Sequence, residues 1–548
     1  MLRVVWVCCF LLLEFAFSHQ VEMSHGWTQI NLDSIQGSLR IDSLEIDRKG
    51  VFDDAKTHSS AEKKMYQFAE NIHIRTKSSV VDKLINFKLG DSVDKEMIRQ
   101  NERELRLQRY FADAHIDIFR DSLGRHLLKV NTSDKWTLSV PLSYSKPGRK
   151  VNYSFGAIEF NVLGLGYEAG VLAYQTTNVF ETILFGRDPH FLTKFQELFL
   201  AYNFIEDGKG PSGFNRQISI NKPFFSLDEK YAWVFQLSSR KINEYYFEPE
   251  GGQIVGIYNE IKQDTLSARW SIAEGKRYQS YFRFSYDGFW RGSPSSQTRG
   301  APPSWQRNDG RVGFYYTLRE PKFGVVKNFK SLKWSEDIDL GWQTGLGLSY
   351  NHPEIGANQE DFRIDQHWSS LTRILGVHWV ELKMRNYAYS SHLNYETLEN
   401  LHSNAQGTYW FRPNLTWATQ LSANYGALWK GAQSEQLMVG GANGWAGVIE
   451  SGYTGHEYFW AELEQRYTPG WELGTVLPSL AAFGNGGNMW RNDGEFNVRE
   501  FDYRAGVGLR FALSKSAQGI VQHINTSWNL NGKQKGSMTV SLIAKIGF

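Results

Sequence analysis

Cysteine is almost missing from this chain of 548 residues: Cys8 and Cys9 stand side by side inside the first apolar run, and no other occurs. If that run is removed on export, the remainder has no thiol, which excludes disulfides, thiol catalysis and cysteine-ligated metals. Beyond the N-terminus there is no stretch of about 18 consecutive apolar residues, so no helix is expected to span a bilayer. An excess of one charge is lacking too. Lys and Arg number 60 against 58 Asp and Glu, a net +2, and this argues against nucleic acid as a partner. Proline is scarce, at 14, beside 50 Gly, 19 Trp, 26 Tyr and 35 Phe. That balance suits closely spaced strands with aromatic girdles and a glycine-rich interior, and a mean hydropathy of -0.44 leaves a soluble β-protein or a membrane barrel.

The first residues read as a secretory signal. Arg3 supplies the positive start, Val4 to Leu13 the apolar run, and Ala16-Phe17-Ser18 a small-residue cleavage box, so residues 1–18 are expected to be removed. An apolar run this short falls below the roughly 20 residues a spanning helix needs. The Cys8-Cys9 pair has no cleavage box before it, which argues against a lipoprotein.

From residue 135 onward, period-two segments alternate with turn-rich stretches. Trp136, Leu138, Val140, Leu142 and Tyr144 share one face, with Thr137, Ser139, Pro141 and Ser143 opposite. Tyr231, Trp233, Phe235 and Leu237 repeat the pattern, as do Val312, Phe314, Tyr316 and Leu318, then Leu346, Leu348 and Tyr350, then Leu415, Trp417, Leu421 and Tyr425. Apolar faces that begin and end on aromatics point to a membrane barrel more than to a sandwich. The last segment carries Met538, Val540, Leu542, Ala544, Ile546 and Phe548 on one row. Because a membrane sheet cannot leave an edge unpaired, this strand is expected to close on the first, in a seam that includes Trp136, Leu138, Val540, Leu542 and Phe548. Residues 135–548 leave room for about 16 antiparallel strands. The fold class expected is an all-β transmembrane barrel with a small N-terminal α+β unit.

Residues 19–38 precede that unit, which spans 39–134. Its reading is a strand at 39–46, a helix at 79–87, a second helix capped by Asp94 and running to Tyr110, and two strands around Ala114, Ile116 and Ile118 and around Leu128 and Val130. The Asp121-Ser122-Leu123-Gly124 turn joins the last two. The polar stretch at 53–70 receives no element. Arg99, Arg103, Arg106 and Arg109 recur at helical spacing and read as a solvated face.

In this order the residues resemble the outer-membrane assembly and translocation superfamily, which includes barrel insertases and two-partner-secretion transporters. The β-α-α-β-β unit resembles a POTRA domain, notably at Asn71-Ile72-His73-Ile74-Arg75-Thr76, at Phe87-Lys88-Leu89-Gly90-Asp91 and at Glu102-Arg103-Glu104-Leu105-Arg106. The junction Asp134-Lys135-Trp136-Thr137-Leu138, followed by Glu159-Phe160-Asn161-Val162-Leu163-Gly164-Leu165-Gly166, resembles the first two strands of the family's barrel. Gly440, Gly441, Asn443, Gly444, Trp445, Ala446 and Gly447 resemble the sixth extracellular loop, which in the family folds into the lumen. Glu464 and Arg466, then Phe483, Asn485, Gly487 and Trp490, resemble the two strands that face it. One departure stands out: Ala446 and Asn485 occupy the positions where the family carries an Arg and an Asp.

The resemblance implies outer-membrane localisation, lipid around the barrel, an unfolded or extended polypeptide as client, a periplasmic or secreted partner, and no nucleic acid. It implies no enzyme and no cofactor. The residues agree, offering no catalytic, cofactor or metal constellation: His456-Glu457 begins a zinc-protease-like string, but Trp460 fills the second ligand position. Gly208-Lys209-Gly210-Pro211-Ser212-Gly213 lacks the P-loop spacing, and the paired Glu462 and Glu464 read as lumen residues rather than glycosidase acids. The function expected is assistance to polypeptide insertion or translocation. The alternative is a passive porin or structural surface antigen.

Overall fold

A computed structural model describes residues 26–53, 60–146, 151–175, 179–247, 254–298, 308–327, 329, 335–391, 399–430, 436–439, 453–490, 496–516, 520–532 and 535–546. The expected signal and the loop motif at 440–447 lie outside the described residues, as does Phe548.

The N-terminal unit contains β1 (Thr28–Ile30), β2 (Ser38–Arg40), β3 (Ser43–Lys49), α1 (Ser60–Ile72), α2 (Ser78–Leu84), β4 (Ser92–Asp94), α3 (Lys95–Arg106), β5 (Phe111–Arg120) and β6 (His126–Asp134). Its sheet runs β1-β5-β6-β3, with β3 parallel to β6. Helix α3 starts where the cap predicts, for the Asp94 side chain accepts the Met97 N–H at 2.8 Å. The turn into β6 is made by Asp121, which accepts the N–H groups of Leu123 and Arg125. Ile41, Val81, Leu84, Ile98, Leu105 and Leu128 are fully buried between helices and sheet, each contributing about 1.5–3 kcal/mol by leaving water. Helix α1, like the short strands β1 and β4, is an element the sequence did not reveal. Tyr66 alone is buried along it, stacked on Phe52 at 4.6 Å, while Met65 and Phe68 are exposed, so its apolar periodicity is faint.

Among the described residues, 20 antiparallel strands close into a barrel, rather than about 16. The estimate fell short because connections at the mouth nearest the unit are tight: residues 163–166 and 275–278 suffice to reverse the chain. Apolar faces point outward, as the alternation requires. Phe235, Leu237, Phe314, Leu346, Leu348, Leu421 and Val540 are all exposed on the outer wall, and an exposed apolar band around a closed sheet is what hydrocarbon solvates. The barrel is a membrane-spanning one.

Candidate functional site

The unit is docked on one mouth of the barrel, and two of the motifs noted in the sequence meet there. Asn161 donates to the Thr76 hydroxyl at 2.8 Å, and the Lys77 N–H donates to Gly164 O at 2.9 Å. Gly164 has φ +72, and a Cβ on it would lie 2.4 Å from Arg75 O, so both its backbone and its lack of a side chain let the two segments approach. Thr76 is itself fixed by Asp134, which also takes the His73 ring at 3.1 Å. Two barrel turns finish the unit's core: Phe195 is buried in it and stacks on Phe225 at 4.0 Å. The four arginines Arg99, Arg103, Arg106 and Arg109, the last of them beyond the end of α3, are not a uniformly solvated face. Arg109 reaches Glu168 at 3.5 Å, Arg103 lies 3.4 Å over the Phe323 ring, and Arg106 bonds Ala114 O at 3.1 Å; Arg99 remains outside, with Asp33 at 2.6 Å.

Phe323 opens a hairpin, Phe323–Lys327 paired with Ser335–Asp339, between two barrel strands. Beyond its first arm, Phe329 is buried against Leu371, Trp379 and Trp410 and lies 4.4 Å from the Trp379 ring. Those three residues are on the inner side of their strands, so the hairpin ends inside the barrel mouth. Trp379 and Trp410 therefore turn away from lipid. The long interval between Glu320 and Trp342 is the one sequence sign of this element.

The strand motifs at the loop level come together across the ladder. Glu462 faces Asn485, and Glu464 faces Phe483, in strands Glu457–Tyr467 and Val476–Trp490. Glu464 takes Arg466 and, at 2.8 Å, Arg510; Arg466 bonds Gln420 at 2.7 Å, and Arg510 bonds Asn525 at 2.7 Å. Asn485 donates to Glu462 at 3.1 Å, while its own oxygen is buried without a partner among the described residues. A carboxylate thus sits at this level, on the neighbouring strand. Gly487 faces Trp460, and Trp490 stands at the end of its strand beside Phe496 at 5.5 Å, away from the charged network. Arg510 and Asn525 were missed in the sequence because period-two spacing marks a face without saying which strands adjoin. Below the loop motif, Leu437–Val439 pairs with Tyr453–Gly455, and Val439 packs on Tyr458, Trp460 and Met489, so the loop's base turns inward.

At the seam, the described facing positions of the last strand, Met538–Ile546, and the first are Val540 with Lys146, Ser541 with Ser145 and Leu542 with Tyr144, and the closed sheet sets the last strand beside Leu138–Ser139 as well. The first strand is split into Leu138–Ser139 and Leu142–Lys146, the break falling at Pro141, which has no N–H to give. On its other side Leu138 pairs with Glu159 of the following strand. Trp136 lies below the seam, its N–H donated to Lys515 O at 2.7 Å.

No protein-family model and no curated protein matches the chain. Among solved structures, it is similar to BamA from Haemophilus ducreyi lacking POTRA domains 1-3, at 10% identity and a TM-score of 0.38 over 92% of this chain and 85% of that one. It is similar also to CdiB from Acinetobacter baumannii, at 11% identity and a TM-score of 0.41 over 92% and 74%. For CdiB from Escherichia coli the values are 10%, 0.39, 92% and 76%. At these values the distances within this chain, not the likeness, carry the reading of the site.

Proposed function

We propose that this protein sits in an outer membrane and assists the insertion or translocation of polypeptides, receiving an extended client at its periplasmic unit. The observation that carries this reading is the first strand of the seam, broken at Pro141 into Leu138–Ser139 and Leu142–Lys146. A barrel wall must be closed against lipid, yet this junction is interrupted where Pro141 has no N–H to give, so opening it there would expose strand edges able to template a client strand. Lipid surrounds the apolar band, and a periplasmic or secreted partner protein supplies or leaves with the client. The second reading, a passive porin or structural surface antigen, is favoured by Ala446 and Asn485 standing where the resembling family carries a charge pair.

A reversible lock separates the two. Tyr144→Cys with Leu542→Cys places thiols on facing positions of the seam, in a mature chain expected to have no other cysteine. Oxidation is expected to stop client assembly or secretion, and reductant to restore it. Full client handling by the oxidised barrel overturns the reading; ion conductance with no client handling in either state supports the porin.

A further inference from the structure

The inner wall on the far side of the barrel from the seam carries an arginine-lined cavity of about 620 Å³ that the proposed function does not use. Five of six consecutive strands contribute Arg269, Arg283, Arg311, Arg363 and Arg385 to it. Three of these are matched by carboxylates. Arg269 meets Asp287 at 2.9 Å, Arg311 meets Asp361 at 3.0 Å and Asp309 at 3.3 Å, and Arg363 grips Asp365 through two bonds of 2.8 and 2.6 Å. Arg283 and Arg385 have neither hydrogen bond nor ion pair among the described residues, and the Nε of Arg283 and Nη1 of Arg311 are buried without acceptors.

What holds Arg283 is a ring. Its guanidinium carbon lies 4.3 Å from the centroid of Tyr315, a cation–π contact over the ring face. Tyr315 can lie flat against the wall because the wall beneath it is glycine: a Cβ on Gly347 would come within 2.1 Å of the ring, and one on Gly313 within 2.7 Å. Arg363 is stacked in the same manner, 4.2 Å from Tyr387. Beside Gly313, the hydroxyls of Ser285 and Ser349 are also buried without partners. Buried donors without acceptors are costly, and the carboxylates that act on Arg283, Asp287 and Asp365, are already bonded to Arg269 and Arg363.

We infer that this cavity is an anion site, taking a ligand that presents carboxylate or phosphate oxygens to Arg283 and Arg385. Guanidinium N–H groups on a shared wall, one of them held over the Tyr315 ring, suit oxygens of that kind, singly or in pairs. Such oxygens could belong to a free solute or to an acidic segment of a chain passing through the barrel. The inference stands apart from the seam, since the site would be present in a barrel that never opens.

Its test uses the full chain in detergent, titrated calorimetrically with inorganic phosphate and with hexaglutamate. Saturable binding is expected for at least one of them, weakening as salt is raised. Arg283→Gln and Arg385→Gln are each expected to weaken it about tenfold, as for losing one charge-assisted contact, with Arg283→Lys intermediate. Heat-modifiable gel migration checks that each variant is a closed barrel. Much tighter binding of hexaglutamate assigns the site to acidic polypeptide, and comparable binding assigns it to small oxyanions. Absence of binding by both ligands in a folded wild-type barrel, or binding unchanged in the double Gln variant, overturns the inference.

Discussion

Two sheets in this molecule end on a strand that could take a partner, and the chain treats them in opposite ways. In the N-terminal unit the outer side of β5 is sealed along most of its length. Strand β1 pairs with it at Ile118, Phe119 and Arg120; Glu102 accepts the Ile116 N–H at 2.8 Å; Arg106 donates to Ala114 O. Side chains from α3 thus take the backbone groups that another chain would otherwise seek. The barrel seam is closed strand on strand, across the break at Pro141. A client strand would have to displace bonds at β5 and at the seam, where the first strand is interrupted, whereas at β3, which has no strand on its outer side among the described residues, it would displace none.

The comparison requires the unit to stay fixed on the barrel mouth, and Phe329 is the residue whose loss should disturb that most. Phe329→Ala empties an aromatic socket at the end of the hairpin that Arg103 holds to the unit, a change that typically costs about 3–5 kcal/mol. The expected result is faster proteolysis within 321–341 and a higher ion conductance, with the barrel still heat-modifiable. Unchanged conductance and protection would mean that the hairpin is not anchored by this ring. Next in size is Glu102→Ala, which strands the Ile116 N–H in a partly buried place at about 1–3 kcal/mol. Combined with deletion of 28–30, it should convert β5 into an open edge, read as concentration-dependent dimerisation in sedimentation. A monomer that stays stable would mean the edge needs no seal. Smaller again is Pro141→Thr, which restores an N–H in the first strand. One added ladder bond is worth about 1 kcal/mol, and it should raise the gel-unfolding temperature while slowing client handling.

Much of this architecture was legible in the sequence, and the exceptions have physical causes. Asp94, the Asp121 turn and the alternation of Ala114, Ile116 and Ile118 are local signals, and each lies where local geometry demands it. Outward faces such as Val312, Phe314 and Tyr316 were readable because lipid imposes a single polarity on alternate residues. The inner wall obeys no such rule. Which arginine meets which carboxylate depends on registers between strands, so Arg510 beside Glu464, forty-six positions away, carried no local sign. Helix α1 was hidden for a different reason, having one buried residue to mark its face.

A last effect, confined to one pH window, lies at the joint between the two edges. Lys135 links β6 of the unit to the first barrel strand, and burial pushes its ammonium down to about 8 from an ordinary value near 10.5. The sign follows from proton counts. Between those two values the unfolded chain holds a proton on this lysine that the folded chain does not, so stability rises with pH across that window and the benefit is absent below about 8. Lys135→Met removes both the burial of charge and the titration, while keeping a long apolar stem in the same space. Its unfolding temperature should therefore exceed that of the wild type at pH 7, and the gap should close as pH approaches 10. Because Lys135 sits on the unit's side of the seam, client handling should be unaltered at either pH. A gap that persists unchanged at pH 10 would place the cost in packing rather than in charge, and a variant that is less stable at pH 7 would show that the ammonium is held by its surroundings instead of opposed by them.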